Sequence, residues 1–114
     1  MLRDYMTECV EHGFHGNLHQ YLNSPEVNGR KCPSQRHKGN ESDTVQNNPK
    51  MRRERTFPVP KEFESAGEVF MAAHFAPTHR DQNAPRMYYA ADVAITKKAY
   101  IGYIGVHLTN TKTN

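Results

Sequence analysis

The chain has 114 residues, a formal net charge of +3, no tryptophan and only 36% apolar residues. That length suits one domain rather than two and leaves room for a thin core. No apolar run approaches the ~18 residues of a membrane span, and the opening "MLRDYMTEC" carries Asp4 and Glu8 where a secretory signal would be apolar. The expectation is a soluble, cytoplasmic protein that does not enter membranes, with its two cysteines, Cys9 and Cys32, reduced.

Residues 1–22 read as helical. Leu2, Tyr5, Met6, Cys9 and Val10 recur at helical spacing and define one apolar face. Gly13 is a natural stop, because glycine takes the left-handed conformation after a helix at little cost. Gly16 and Asn17 open a second short turn that ends before Ser24-Pro25. The prediction is a broken amphipathic helix.

Residues 23–54 read as a basic flexible loop, with Val27, Val45 and Met51 their only aliphatic side chains. Between Asn28 and Arg55, eight cations stand against three carboxylates, a net +5 that leaves −2 for the rest of the chain. A localised basic stretch favours polyanions. Arg30, Lys31, Arg36, Lys38, Arg52, Arg53 and Arg55 are therefore the candidate nucleic-acid-binding residues.

Residues 55–108 read as an antiparallel sheet. "RTFPVP" (Arg55 to Pro60) is extended and suits an edge strand. "EVFMAAHF" (Glu68 to Phe75), "RMYYAADVAI" (Arg86 to Ile95) and "KAYIGYIGVHL" (Lys98 to Leu108) have the length and residue choice of strands, with Thr96-Lys97 as a hairpin tip and residues 109–114 as a fraying tail. The expected fold class is α+β, a broken helix packed on a three- to four-stranded antiparallel sheet.

Side chains alternate faces along a strand. Met87, Tyr89, Ala91, Val93 and Ile95 make an apolar face for the helix, and Arg86, Tyr88, Ala90, Asp92 and Ala94 make the polar one. A hairpin at Thr96-Lys97 places Arg86 opposite His107 and Ala90 opposite Tyr103. A slip of two residues places Tyr88 opposite Tyr103 instead, and either register keeps the same face. Tyr100, Ile104, Val106 and Leu108 then point into the core. His74 on the preceding strand falls opposite Arg86 or Tyr88.

The candidate catalytic row is thus His74, Arg86, Tyr88, Tyr103 and His107. Two histidines and an arginine are the parts of metal-independent RNA cleavage: one base for the 2′-hydroxyl, one acid for the leaving oxygen, and a cation for the phosphoryl charge. The tyrosines suit stacking on bases. The helix-then-sheet order resembles, in layout alone, the small RelE/EndoU-type ribonuclease toxins. The leading expectation is a nucleic-acid- or nucleotide-directed protein, with metal-independent RNA cleavage as one form that role could take. The alternatives are a non-enzymatic module whose tyrosine-rich face binds a protein partner or a second copy, and a small zinc-stapled regulator. Cys9-x₂-His12 and Cys32-x₄-His37 have ligand types suited to zinc, but their spacing matches no zinc module and Cys9 sits among apolar helix positions, so no metal or cofactor is assigned.

Overall fold

The computed structural model describes residues 1–76, 85–106 and 108. Most of the sequence between Phe75 and Arg86, "APTHRDQNAP", falls on residues 77–84. That stretch, His107 and the expected tail lie outside the described residues.

The chain folds as an α+β protein. Helix α1 spans Leu2–Glu11, and Gly13 follows it with φ +72°, the left-handed turn foreseen for it. Helix α2, Leu18–Leu22, starts from a complete capping box: Asn17 Oδ1 accepts from Gln20 N, and Gln20 Oε1 accepts from Asn17 N, both at 2.8 Å.

The segment read as a flexible loop carries structure of its own. A 3-10 turn at Ser34–Arg36 leads into the two-residue strand β1, His37–Lys38, and two short helices follow, α3 (Asp43–Asn47) and α4 (Pro49–Glu54). Ser42 caps α3, accepting from Val45 N. Asn48 caps α4, with Pro49 in the first turn, where a missing amide costs nothing.

Two antiparallel sheets result. Strand β2 (Thr56–Pro58) pairs with β3 (Glu68–Phe70). The main sheet has the order β1-β4-β5-β6, where β4 is His74–Phe75, β5 is Arg86–Asp92 and β6 is Lys98–Gly105. The single strand expected over Glu68 to Phe75 is therefore split, and Met71–Ala73 carry the chain from one sheet to the other.

Between β5 and β6, Tyr88 pairs with Tyr103, as in the slipped register. The ladder then shifts, so that Tyr89 meets Ile101 and Ala90 meets Tyr100, leaving Gly102 as the extra residue of a bulge. Residues before the bulge thereby exchange faces relative to simple alternation. Tyr100 lies on the Tyr88 side and stacks on Phe63 at 5.1 Å, instead of sharing the helix side with Ile104. Ile104 and Val106 are 66% and 52% exposed rather than buried.

Both faces of the main sheet are covered. On one, α1 and α2 bring Tyr5, Met6, Cys9, Leu18, Tyr21 and Leu22 onto Phe75 and Tyr89. On the other, the β2–β3 hairpin brings Phe57, Val59, Phe63 and Val69 onto Met71, Tyr88, Tyr100 and Tyr103. Gly102 permits this second contact. A Cβ there would overlap the Phe57 ring and sit 2.6 Å from Met71 Sδ.

Candidate functional site

The alternation of β5 delivers Tyr88 to the hairpin side and Tyr89 to the helix side. Each anchors a polar cluster inside the apolar packing.

On the hairpin side, His74 pairs with Tyr88, and Tyr88 pairs with Tyr103. Three members of the expected row are therefore aligned across three strands. The His74 ring stacks on Tyr88 with centroids 4.4 Å apart, and His74 Nδ1–H donates to the Ala72 carbonyl at 2.7 Å. Tyr88 and Tyr103 meet edge-on at 6.3 Å. Arg86 lies opposite Gly105 at the end of the ladder and is buried. His107, the fifth member, lies outside the described residues.

The centre of the row does not open to solvent as its polarity suggested. Tyr88 is 2% exposed and His74 9%. Phe57 lies parallel to Tyr103 at 6.3 Å. Tyr103 folds across Gly105, where a Cβ would stand 2.6 Å from its hydroxyl, and Tyr103 O–H donates to the Val106 carbonyl at 2.8 Å. The space beside Gly105 is thus filled by a tyrosine ring.

A carboxylate absent from the sequence-derived row completes the cluster. Tyr88 O–H donates to Glu41 Oε2 at 3.0 Å, and the same oxygen is ion-paired to Arg55 Nε. Arg55 is fully buried and also donates from Nη1 to the Met51 carbonyl at 3.0 Å. Burial pushes the Tyr88 phenol well above its ordinary range, the Glu41 charge adds to the shift, and Arg55 opposes it. Tyr88 is therefore a neutral hydrogen-bond donor. Arg55, expected to contact nucleic acid, instead lies in the interior.

On the helix side, His37 from β1 is buried at 6% exposure, with its ring against Phe75 and Tyr89. Its Nε2 lies 2.7 Å from Tyr89 Oη, and its Nδ1 lies 3.5 Å from Nδ1 of the exposed His19 on α2. Burial lowers the His37 pKa to about 4, with His19 and then His74 adding to the effect. A neutral imidazole thus links a buried phenol to a surface histidine. The sequence set Cys9, His12, Cys32 and His37 is not assembled: Cys9 belongs to the helix-side core, and His12 is exposed at the end of α1. Among the described residues no group of three or more His, Cys, Asp or Glu side chains could hold a metal ion.

The other cations of the basic segment face outward. Arg30, Arg36, Lys38, Lys50, Arg52 and Arg53 are exposed, while Lys31 lies over the Tyr21 ring at 4.8 Å. Lys38 pairs with His74, and directly opposed residues share a face, so Lys38 projects to the hairpin side. Helix α4 leads into β2 on that side, with Arg52 over Phe70 at 4.1 Å and Arg53 bonded to Glu68 at 2.7 Å.

Neither Glu41–Arg55 nor His19–His37 carried a sequence signal. Their members stand 14 and 18 residues apart and meet only because the intervening chain folds back. In chemical terms, His74, Arg86 and Tyr88 are interior groups, with Tyr88 bonded to the Glu41–Arg55 pair, whereas most cations of the basic segment and His19 are accessible. No known protein family, curated protein or solved structure matches the chain.

Proposed function

We propose that the protein binds nucleic acid, engaging the phosphate backbone through the exposed cations of residues 30–55. One observation carries this reading. Arg55 and Glu41 neutralise each other in the interior, whereas Arg30, Arg36, Lys38, Lys50, Arg52 and Arg53 remain at the surface. Of the segment's other acids, Asp43 is exposed and Glu54 half-buried, so the outer surface keeps a clear positive excess. Such a surface attracts phosphates without regard to sequence.

The hairpin side supports the reading further. The guanidinium of Arg52 lies over Phe70, and its outer face suits stacking by a base. Arg53 and Glu68 form an exposed ion pair, which is worth little and yields readily to a phosphate. Cleavage at His74, Arg86, Tyr88, Tyr103 and His107 fits less well, because RNA would have to displace the β2–β3 hairpin to reach Tyr88 and His74.

The test is fluorescence anisotropy with labelled single-stranded RNA between about 50 and 200 mM salt. Each phosphate contact contributes about −0.7 to the log–log salt slope, so Lys50→Ala/Arg52→Ala/Arg53→Ala should flatten it by about 2. RNA that fails to bind at low salt, or binds with no salt dependence, rejects the proposal. Parallel incubation of end-labelled RNA in EDTA separates the catalytic alternative. Cleavage abolished in a folded His74→Ala variant would establish the buried row as an active site.

A further inference from the structure

The two histidines on the helix side have a geometry that a hydrogen bond alone does not require. His19 sits on α2 and His37 on β1, and their Nδ1 atoms are 3.5 Å apart with ring centroids at 5.7 Å and planes tilted by 34°. Zinc binds imidazole nitrogen at about 2.0–2.1 Å, so two nitrogens at this separation subtend roughly 115° at one ion, close to the tetrahedral angle. We propose that His19 and His37 form a two-histidine chelate for a divalent transition-metal ion of the zinc, nickel or copper class, joining α2 to β1.

The surroundings of His37 fit that role. A ligating histidine characteristically donates its other ring N–H to a fixed partner, which sets the tautomer and orients the ring. Here Nε2 has Tyr89 Oη at 2.7 Å. With Nε2–H donated to that oxygen, Nδ1 keeps its lone pair and points it toward His19. Phe75 and Tyr89 pack against the ring, so it is already ordered. His19 is exposed, which gives the ion an entry path and lets one ring adjust while the other stays fixed.

Imidazole donors select borderline transition ions over magnesium or calcium, which prefer oxygen ligands. Among the described residues no group of three candidate ligands occurs, so water fills the remaining positions. The site is therefore open and exchangeable, unlike a closed four-ligand structural centre. Its effect is to clip the basic segment, at β1, to helix α2.

The experiment uses the full chain and Zn²⁺ as the probe, with calorimetric titration and thermal unfolding in parallel. One equivalent should bind saturably, reverse with EDTA and raise the unfolding midpoint. The variant His19→Ala, at an exposed position outside both apolar cores, should weaken binding at least tenfold and abolish the shift in midpoint. Tyr89→Phe keeps the ring but removes the supporting hydroxyl, and should weaken binding by about 10- to 100-fold. Absence of saturable binding to the wild type overturns the proposal, as does wild-type affinity in His19→Ala. Binding that survives in His19→Ala but is lost in His12→Ala/His15→Ala would place the ion on the N-terminal histidines and equally overturn it.

Discussion

Removing Arg55 should cost far more than removing it together with Glu41. The Arg55 side chain has no exposed surface and that of Glu41 keeps 11%, so solvent screens the pair weakly. Two unit charges about 4 Å apart attract by roughly 4 kcal/mol at the effective dielectric of such sites. Arg55→Met leaves a buried carboxylate with Tyr88 O–H still donating to it, and Glu41→Gln leaves a buried guanidinium with the Met51 carbonyl still accepting. Breaking a buried pair from one side costs about 3–5 kcal/mol. The double variant strands no charge, and the amide oxygen that Glu41→Gln introduces can still accept from Tyr88, so its loss should be about 1–3 kcal/mol. The coupling is then on the order of 5 kcal/mol, a large part of the roughly 5–15 kcal/mol that stabilises an ordinary domain. Urea unfolding followed by far-ultraviolet circular dichroism measures all three variants. If the double variant loses the sum of the single losses to within about 0.5 kcal/mol, the pair is uncoupled and this reasoning fails.

Other expectations follow from single positions. Gly102→Ala should destabilise by about 1–3 kcal/mol through overpacking against Phe57 and Met71, and chemical denaturation measures it; a neutral result would mean that the hairpin does not rest on β6 as described. Asn17→Ala removes the acceptor that caps α2 and should cost about 1 kcal/mol, whereas Asn17→Ser should restore most of it. Asp92 accepts from Thr96 N and Thr96 O–H, both at 2.8 Å, and from Ile95 N at 3.1 Å. These bonds, that of the Thr96 amide foremost, hold its carboxyl below the ordinary value of 3.8. Its stabilising contribution is thus complete above that pH and drains away as pH falls through the depressed folded-state value. The stability gap between wild type and Asp92→Asn should be widest near neutrality and narrow below pH 3.8, and acid titrations of both proteins would reveal a gap that instead widens.

The parts of the fold legible in the sequence were those fixed by local chemistry. Gly13 and the Gly16-Asn17 pair mark the break between α1 and α2 whatever lies around them, and the structure adds the Asn17–Gln20 box. The cap signals at Ser42 and Asn48-Pro49 are present too, but α3 and α4 have five and six residues and one buried apolar side chain each, too few to show a period. Alternation placed His74, Tyr88 and Tyr103 on one face, because a strand's parity survives any even slip. It failed on the residues that precede Gly102 in β6, because that one unpaired residue reverses their parity. Nor could alternation show that this face is covered, since the cover comes from β2 and β3, whose docking depends on a glycine in a distant strand. Glu41 was hidden for a related reason: a carboxylate in a polar stretch looks solvated until the fold sets an arginine and a phenol beside it.

The placement of Tyr88 and Tyr89 on opposite faces has a consequence for the order of assembly. The β5–β6 ladder closes over the five residues Val93–Lys97, whereas joining β1 to β4 closes over the 35 residues between Lys38 and His74. Chain entropy makes the longer closure costlier by roughly 1.7 kcal/mol, so the β5–β6 hairpin is the natural first structure. At that stage it has neither helix nor second hairpin to pack against. Each later arrival stiffens the strand that the other needs, because adjacent tyrosines on β5 serve the two cores. The helices and the second hairpin share no core residue, yet each should raise the other's affinity for the central strand, so the two cores should melt together.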